Sequence, residues 1–527
     1  MIDRRFPLSR RAVLAAAAGL GLAATPAAAK RRKEAQAKKG EEAARETAPT
    51  GTPLPIPRLV DLVDGETFEL VAEATTHAFR KDAPVAAIGY GGTYLGPALR
   101  LTRGTTPKIR LVNRLVRPTN LHWHGLLVAG RFDGATSPGI ARDAIWETEL
   151  AVDQPAATLW YHAHVHGRTA RDVHDGLAGL LLVEDGTAAR LGLPSTWGVD
   201  DIPLVLQDRR FDEAGRPLYD DTPASIEHGF HGPTMIVNGV TDAVARVPQR
   251  LVRLRLLNAA SARDFRLAFE DQRGFRLIAT DAGFLAEPAE LSLLVLSPGE
   301  RAEILVDFTE GGGTLLTATD EHEHRSGAQI ANLPDVIDRP AKIVVFETVK
   351  DKEASATPPA RLADLPPLPR TTGDLTRRRF ELRVRPNLAA HDLHGAGHGS
   401  MTHGTSALDG TAAAPEPPLR LTINDRTYAP GRIDDRVRLG TTEVWEIVTP
   451  DMAHPFHIHG AQFRVLSEDG DTPKVWNRGL KDTVRVENSV ELLVYFDRPA
   501  EAAAPFLYHC HLLEHEDGGM MGTFTVE

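Results

Sequence analysis

Tyr508-His509-Cys510-His511-Leu512-Leu513-Glu514-His515-Glu516-Asp517-Gly518-Gly519-Met520 contains the only cysteine of a 527-residue chain. Along a strand, neighbours point to opposite faces and residues two apart share one. His509 and His511 therefore face one way and the Cys510 sulfur the other, so a single strand bridges two separate metal sites through covalent bonds. On the sulfur side, His515 and Met520 follow within a short loop. A thiolate, two imidazoles and a weak thioether are the ligand set of a trigonal copper site for electron transfer. The second imidazole is expected from His454, in His454-Pro455-Phe456-His457-Ile458-His459-Gly460. That stretch offers one imidazole to the sulfur side and two to the other.

The chain has 21 His, so chance placement gives roughly one His-x-His pair, yet six occur: 122/124, 162/164, 164/166, 322/324, 457/459 and 509/511. On strands such pairs set two imidazoles side by side, able to grip closely spaced metal ions. One thiol makes no internal disulfide and no thiolate cluster. A metal centre here must rest on histidine. Isolated His77, His166, His174, His228 and His231 read as structural or loop residues, as do His322 and His324 beside Glu321 and Glu323.

Four motifs in order, His122-Trp-His124-Gly125, Trp160-Tyr-His162-Ala-His164, His454 to Gly460 and His509 to Met520, make the chain resemble the multicopper oxidases, of the three-domain bacterial laccase and cuprous-oxidase type. Leu204 to Phe211 and Pro298 to Phe308 extend the resemblance to the middle of the chain. It implies four copper ions. The type 1 ion would take His454, Cys510, His515 and axial Met520, and the type 2 ion His122 and His457. The type 3 pair would take His124, His162, His164, His459, His509 and His511. Since these come from both ends of the chain, the cluster is expected between the first and third domains, with the middle one a spacer. Asp133 and Glu516 match the family's acidic residues for proton delivery. Met452 matches a methionine of a substrate-copper site, with Asp451 one place from the expected acid, where Pro450 stands. His391, His394, His398, Met401 and His403 lie in a Gly-rich loop for which copper capture and a plain linker both stay open.

Short Val/Ile/Leu/Thr runs broken by Gly, Pro, Asp and Asn, without long helical periodicity, predict antiparallel sandwiches. With the resemblance, the expected fold is all-β: three consecutive cupredoxin-like Greek-key β-sandwich domains. Composition places them at 53–187, 188–349 and 375–527, with a charged linker at 30–52 and an Ala/Pro/Thr-rich linker at 350–374. Arg4, Arg5, Arg10 and Arg11, an Ala/Leu run and Ala27-Ala28-Ala29 predict a signal peptide over 1–29. Ser9-Arg10-Arg11-Ala12-Val13-Leu14 resembles a twin-arginine signal, which sends a folded protein across the membrane; an ordinary secretory signal is the alternative. The expected location is periplasmic or extracellular.

The chain carries 60 Lys+Arg and 71 Asp+Glu, net −11. Residues 1–29 hold four Arg and one Asp, which leaves 56 against 70, net −14. Such a surface disfavours nucleic acid. No second apolar run is long enough to span a membrane, and a monomer is expected. The resemblance implies an oxidase that takes electrons singly from a phenol, an aromatic amine or cuprous ion and reduces dioxygen to water. Copper nitrite reductase is the alternative enzyme, though it needs only one type 1 and one type 2 ion. A non-enzymatic cupredoxin scaffold of the cell envelope is the alternative outside enzymes.

Overall fold

The computed structural model describes residues 51–527 apart from 137–138, 319–339, 352–356, 358, 369–371 and 387–418. The expected signal peptide, most of the 30–52 linker, His322, His324 and the 391–403 histidines lie outside the described residues. Among the described residues strand dominates, and the six sheets fall in three pairs along the chain.

In the first pair, a five-stranded sheet runs Leu59–Asp61, Ala98–Thr102, Ala178–Glu184, Ala157–His162, His122–His124, packed on a four-stranded sheet built around Thr67–Arg80 and Lys108–Asn113. The middle pair contains Asp201–Phe211, Leu251–Asn258 and Arg301–Asp307 in one sheet, and Ala243–Pro248, Ala341–Val349 and Gly313–Thr317 in the other. Thr52–Pro53 joins this middle pair, parallel to Ala243–Val244, so the described chain enters through the second sandwich rather than the first. The third pair sets Thr441–Val448 and Ser489–Phe496 against a sheet ordered Asp435–Val437, Met521–Val526, Phe506–Cys510, His454–Ile458, Thr483–Val486.

Alternation fixes what each face of these strands does. In the first pair, Ala157–His162 is buried along its whole length, with Leu159 and Tyr161 in the sandwich core and Trp160 and His162 on the other face. A strand buried on both faces reads as a continuous apolar run, and this one departs from that at Thr158 and at its last residue, His162. The three sandwiches share an apolar cluster at their junction. Phe79, Trp160 and Leu180 come from the first, Val205, Ile236 and Leu257 from the middle, and Leu513 from the third. Each large side chain buried there stabilises the joint by about 1.5–3 kcal/mol. The junction is what holds histidines from distant parts of the chain in register.

Candidate metal centre

Register brings the motifs together pairwise. His122–His124 pairs antiparallel with Ala157–His162, so His122 stands opposite His162. His454–Ile458 pairs with Phe506–Cys510, setting His457 opposite His509 and Phe456 opposite Cys510. The imidazole pair and the Phe456–Cys510 pair lie on opposite faces. Cys510 is thus sealed in the core of the third sandwich with Phe456, Ile458 and Met520, while His509 faces the first sandwich.

On the sulfur side, Cys510 Sγ lies 3.3 Å from His454 Nδ1 and 3.6 Å from His515 Nδ1, and those nitrogens are 3.2 Å apart. His515 Nε2 donates to the Glu227 carbonyl at 3.0 Å, which turns Nδ1 towards the sulfur. The Leu512 N–H donates to Sγ at 3.3 Å. Met520 is fully buried, and its backbone bonds to both Cys510 N and His515 O. Burial pushes the Cys510 thiol well up, so the thiolate needs a metal ion to form.

On the other side, the donor atoms of His164, His459 and His509 lie within 4.8 Å of one another, as do those of His122, His124 and His162, and of His122, His457 and His459. His459 Nε2 is 3.1 Å and His164 Nε2 3.4 Å from His509 Nε2. His511 faces His124 and His162 with ring centroids 5.0 and 5.9 Å away. All these histidines are buried. Burial first, and then the neighbouring imidazoles, hold His124, His162, His164, His509 and His511 well below the usual histidine range. Burial takes His459 down to about 3. These six rings favour the neutral form, the state that binds metal.

Their outer nitrogens are held by oxygen acceptors. His162 Nδ1 donates to the Ala163 carbonyl, His509 Nδ1 to the Cys510 carbonyl and His457 Nδ1 to the Asp482 carbonyl, each at 2.9 Å. His459 Nδ1 donates to Asp133 Oδ2 at 3.0 Å. Among the described residues, His122 Nε2, His124 Nδ1, His162 Nε2, His454 Nε2, His457 Nε2 and both His511 nitrogens are buried without a hydrogen-bond partner. Several imidazole nitrogens left bare in one interior are costly unless something binds them. Except for His454 Nε2, which points away from the sulfur, they belong to the cluster side. This donor set fits copper.

Of the two carboxylates expected to move protons, Asp133 sits at the end of the short helix Gly130–Asp133, and Glu516 in the helix Leu513–Asp517. Burial pushes Asp133 up, but His122 and His459 outweigh it and hold the carboxylate ionised. Burial, then the Asp517 charge, drives Glu516 well above the usual range. Asp451 is engaged elsewhere, facing Arg383 Nη1 at 3.5 Å and accepting from Val384 N at 3.2 Å, and Met452 packs on the third core. His77 donates to the Gly239 carbonyl and stacks on Tyr94, a structural role.

Sequence reading missed Asp482, Thr483 and Arg301. Asp482 Oδ1 lies 3.1 Å from His124 Nε2 and 3.5 Å from His457 Nδ1. Arg301 pairs with it from the middle sandwich, which corrects the expectation that this part is only a spacer. A signal existed in Pro298 to Phe308, a stretch noted for its resemblance and not for its charge. Beside His515, a cavity of about 570 Å³ is lined by His166, Arg171, Tyr219, Ile226, Leu421 and Glu514, among others.

Sequence profiles described as multicopper oxidase match residues 72–188 and 394–527. The cell division protein FtsP of Edwardsiella tarda is 37% identical over 474 residues, 90% of this chain and 92% of that protein. FtsP of Salmonella typhimurium is 33% identical over the same shares. Among solved structures, the laccase-like multi-copper oxidase CueO of the lignin-degrading bacterium Ochrobactrum sp. is 36% identical, with a TM-score of 0.78, over 90% of this chain and all of that one. Its reported oxidase activity is towards lignin model compounds and lignosulfonate. The McoA multicopper oxidase of Aquifex aeolicus is 27% identical, with a TM-score of 0.76, over 91% of this chain and all of that one.

Proposed function

The chain belongs to the multicopper oxidase family, with three consecutive cupredoxin-like sandwiches, and from that premise we propose that it is a working oxidase. It couples four one-electron oxidations of a phenolic, aromatic amine or cuprous donor to the reduction of dioxygen to water. The observation that carries this reading is the group of buried, unpartnered imidazole nitrogens on the far side of Cys510 from its own thiolate site. Copper held there would supply electron storage and dioxygen binding, which no side chain provides.

In this reading His454, Cys510, His515 and Met520 hold the type 1 ion. His122 and His457 hold type 2, and His124, His162, His164, His459, His509 and His511 hold the type 3 pair. The donor docks in the cavity beside His515, where Ile226 and Glu514 are chain neighbours of Glu227 and His515, which touch. Cys510 is covalently joined to His509, the shortest route between the two donor groups. Glu516, beside His164 and His509, and Asp133, beside His122 and His459, form the proton relay. The domain limits 53–187, 188–349 and 375–527, cleavage after Ala29 and twin-arginine export to the periplasm belong to the same proposal. No helix among the described residues is long and apolar enough to cross a membrane.

The test is oxygen uptake by the copper-loaded protein with cuprous ion, a phenol and bilirubin side by side. A copper-loaded chain that lacks blue colour and consumes no oxygen with any donor overturns the reading. A second reading, a part in cell division, is favoured by the name of the FtsP relatives. Rescue of a division defect by a Cys510→Ser chain would support that role as separate from oxidation.

A further inference from the structure

Arg301 uses every N–H of its guanidinium. Nε donates to the Thr158 carbonyl at 3.1 Å, Nη1 to the Gly299 carbonyl at 2.9 Å and Asp482 Oδ1 at 2.7 Å. Nη2 donates to the Asp281 carbonyl at 3.0 Å and Asp482 Oδ2 at 2.5 Å. A guanidinium has five donors in a rigid plane, and here all are satisfied, by acceptors from all three sandwiches. The side chain is fully buried.

Asp482 carries that placement to the imidazoles. It accepts from His124 Nε2, which leaves His124 Nδ1 as the free atom, and its backbone carbonyl accepts from His457 Nδ1, which leaves His457 Nε2 free. Thr483 Oγ1 sits 3.1 Å from His124 Nε2 and 3.0 Å from His457 Nδ1, at the same two atoms. Two glycines show how closely this is built. A Cβ on Gly125, directly after His124, would lie 2.5 Å from Asp482 Oδ2 and 2.6 Å from Arg301 Nη2. One on Gly299 would lie 2.9 Å from the His511 ring. Both glycines also hold positive φ, at 86° and 84°, so backbone and space demand the same residue. The turn that delivers Arg301 thereby abuts a third imidazole.

We propose that Arg301 is a positioning residue for the metal cluster: through Asp482 it sets the orientation and tautomer of His124 and His457, so the middle sandwich is part of the site. This rests on the reading that these imidazoles hold copper. Lysine keeps the charge but has three donors on one atom, and cannot reproduce the planar fork.

The test reconstitutes the full chain and R301K with copper and reads copper per chain, the blue thiolate band and the type 2 EPR signal. R301K is expected to keep the blue band, because His454, Cys510 and His515 make none of these contacts. It should bind cluster copper about 10- to 100-fold more weakly and alter the type 2 signal. R301K with copper content and type 2 signal equal to the parent overturns the proposal. Should R301K fail to fold, D482N decides. It leaves the Arg301 bonds to Thr158, Gly299 and Asp281, and Lys481 still ties the third sandwich to Asp281 and Glu300 of the middle one, so the sandwiches stay joined, and it is expected to weaken cluster copper with the blue band intact. An unchanged cluster in D482N overturns the proposal. A parent chain with neither blue band nor type 2 signal overturns the copper reading itself, and the proposal with it.

Discussion

Glu516 Oε2 lies 3.3 Å from His509 Nδ1, with both side chains out of solvent. Oε1 lies 3.5 Å from His164 Nδ1. Burial pushes this carboxyl well above the usual carboxylate range, whereas His122 and His459 hold Asp133 below it. Two carboxyls pushed in opposite directions flank one cluster, an arrangement suited to proton delivery. Glu516→Gln and Asp133→Asn are each expected to keep copper content and to slow oxygen reduction, by about 100-fold or more where proton transfer limits the rate. Oxygen uptake with a saturating donor checks this; parent rates in both variants would remove the proton-relay reading.

Cys510→Ser removes the only thiolate while leaving His509 on its strand and His511 just past its end. Colour and donor oxidation should vanish together, and copper should persist at the cluster, because its donors lie on the opposite face from Sγ. Copper counted per chain, beside the visible spectrum, reads the outcome. A blue variant would show that the sulfur was never a ligand.

Glu303 is fully buried between the first and middle sandwiches. Oε1 accepts from Thr158 Oγ1 at 2.6 Å and Arg255 Nη1 at 3.1 Å, and Oε2 from Arg253 Nε at 2.8 Å. Glu303→Ala leaves two buried guanidiniums without this partner, a loss of about 3–5 kcal/mol. Denaturant unfolding of the two chains measures it, and a shift under about 1 kcal/mol would mean that the pair is solvated.

His174 is buried with its ring edge-on to Tyr219 and Phe230, at 5.0 and 5.3 Å between centroids. Burial takes it from 6.5 to about 4. The unfolded chain therefore binds this proton at a higher pH than the folded one, so stability is full above pH 6.5 and falls as pH drops towards 4, by up to about 3 kcal/mol. Asp175 beside it is held at about 2, so its own contribution is lost only below the usual carboxylate range. His174→Phe keeps the ring packing and should flatten the profile between pH 6.5 and 4. Melting temperatures over that range test it; a slope equal to the parent's would mean that other groups set it.

Much of the centre was legible because its chemistry is local. Strand alternation around Cys510 requires one sulfur and two imidazoles on opposite faces, and the structure keeps them there. The second-layer groups were not legible in this way. Asp482 and Arg301 are 181 positions apart, and neither stands in a pattern that a metal demands. Any Lys-Asp-Thr or Glu-Arg-Ala stretch reads as an ordinary solvated turn until its burial is known. Asp451, one place from the acid expected near Met452, lies against Arg383 and the Val384 N–H, contacts that its spacing does not show.

By itself the sequence determined the all-β class and, through four motifs that resemble those of the multicopper oxidases, the family and the candidate ligands, while spacing of two along a strand was enough to choose the faces around Cys510. Only the tertiary structure decided which imidazole meets which, what fixes each tautomer, and that the middle sandwich reaches the centre through Arg301. Those depend on strand register and on how three sandwiches dock, and a buried ion pair declares itself only when both partners have lost their water.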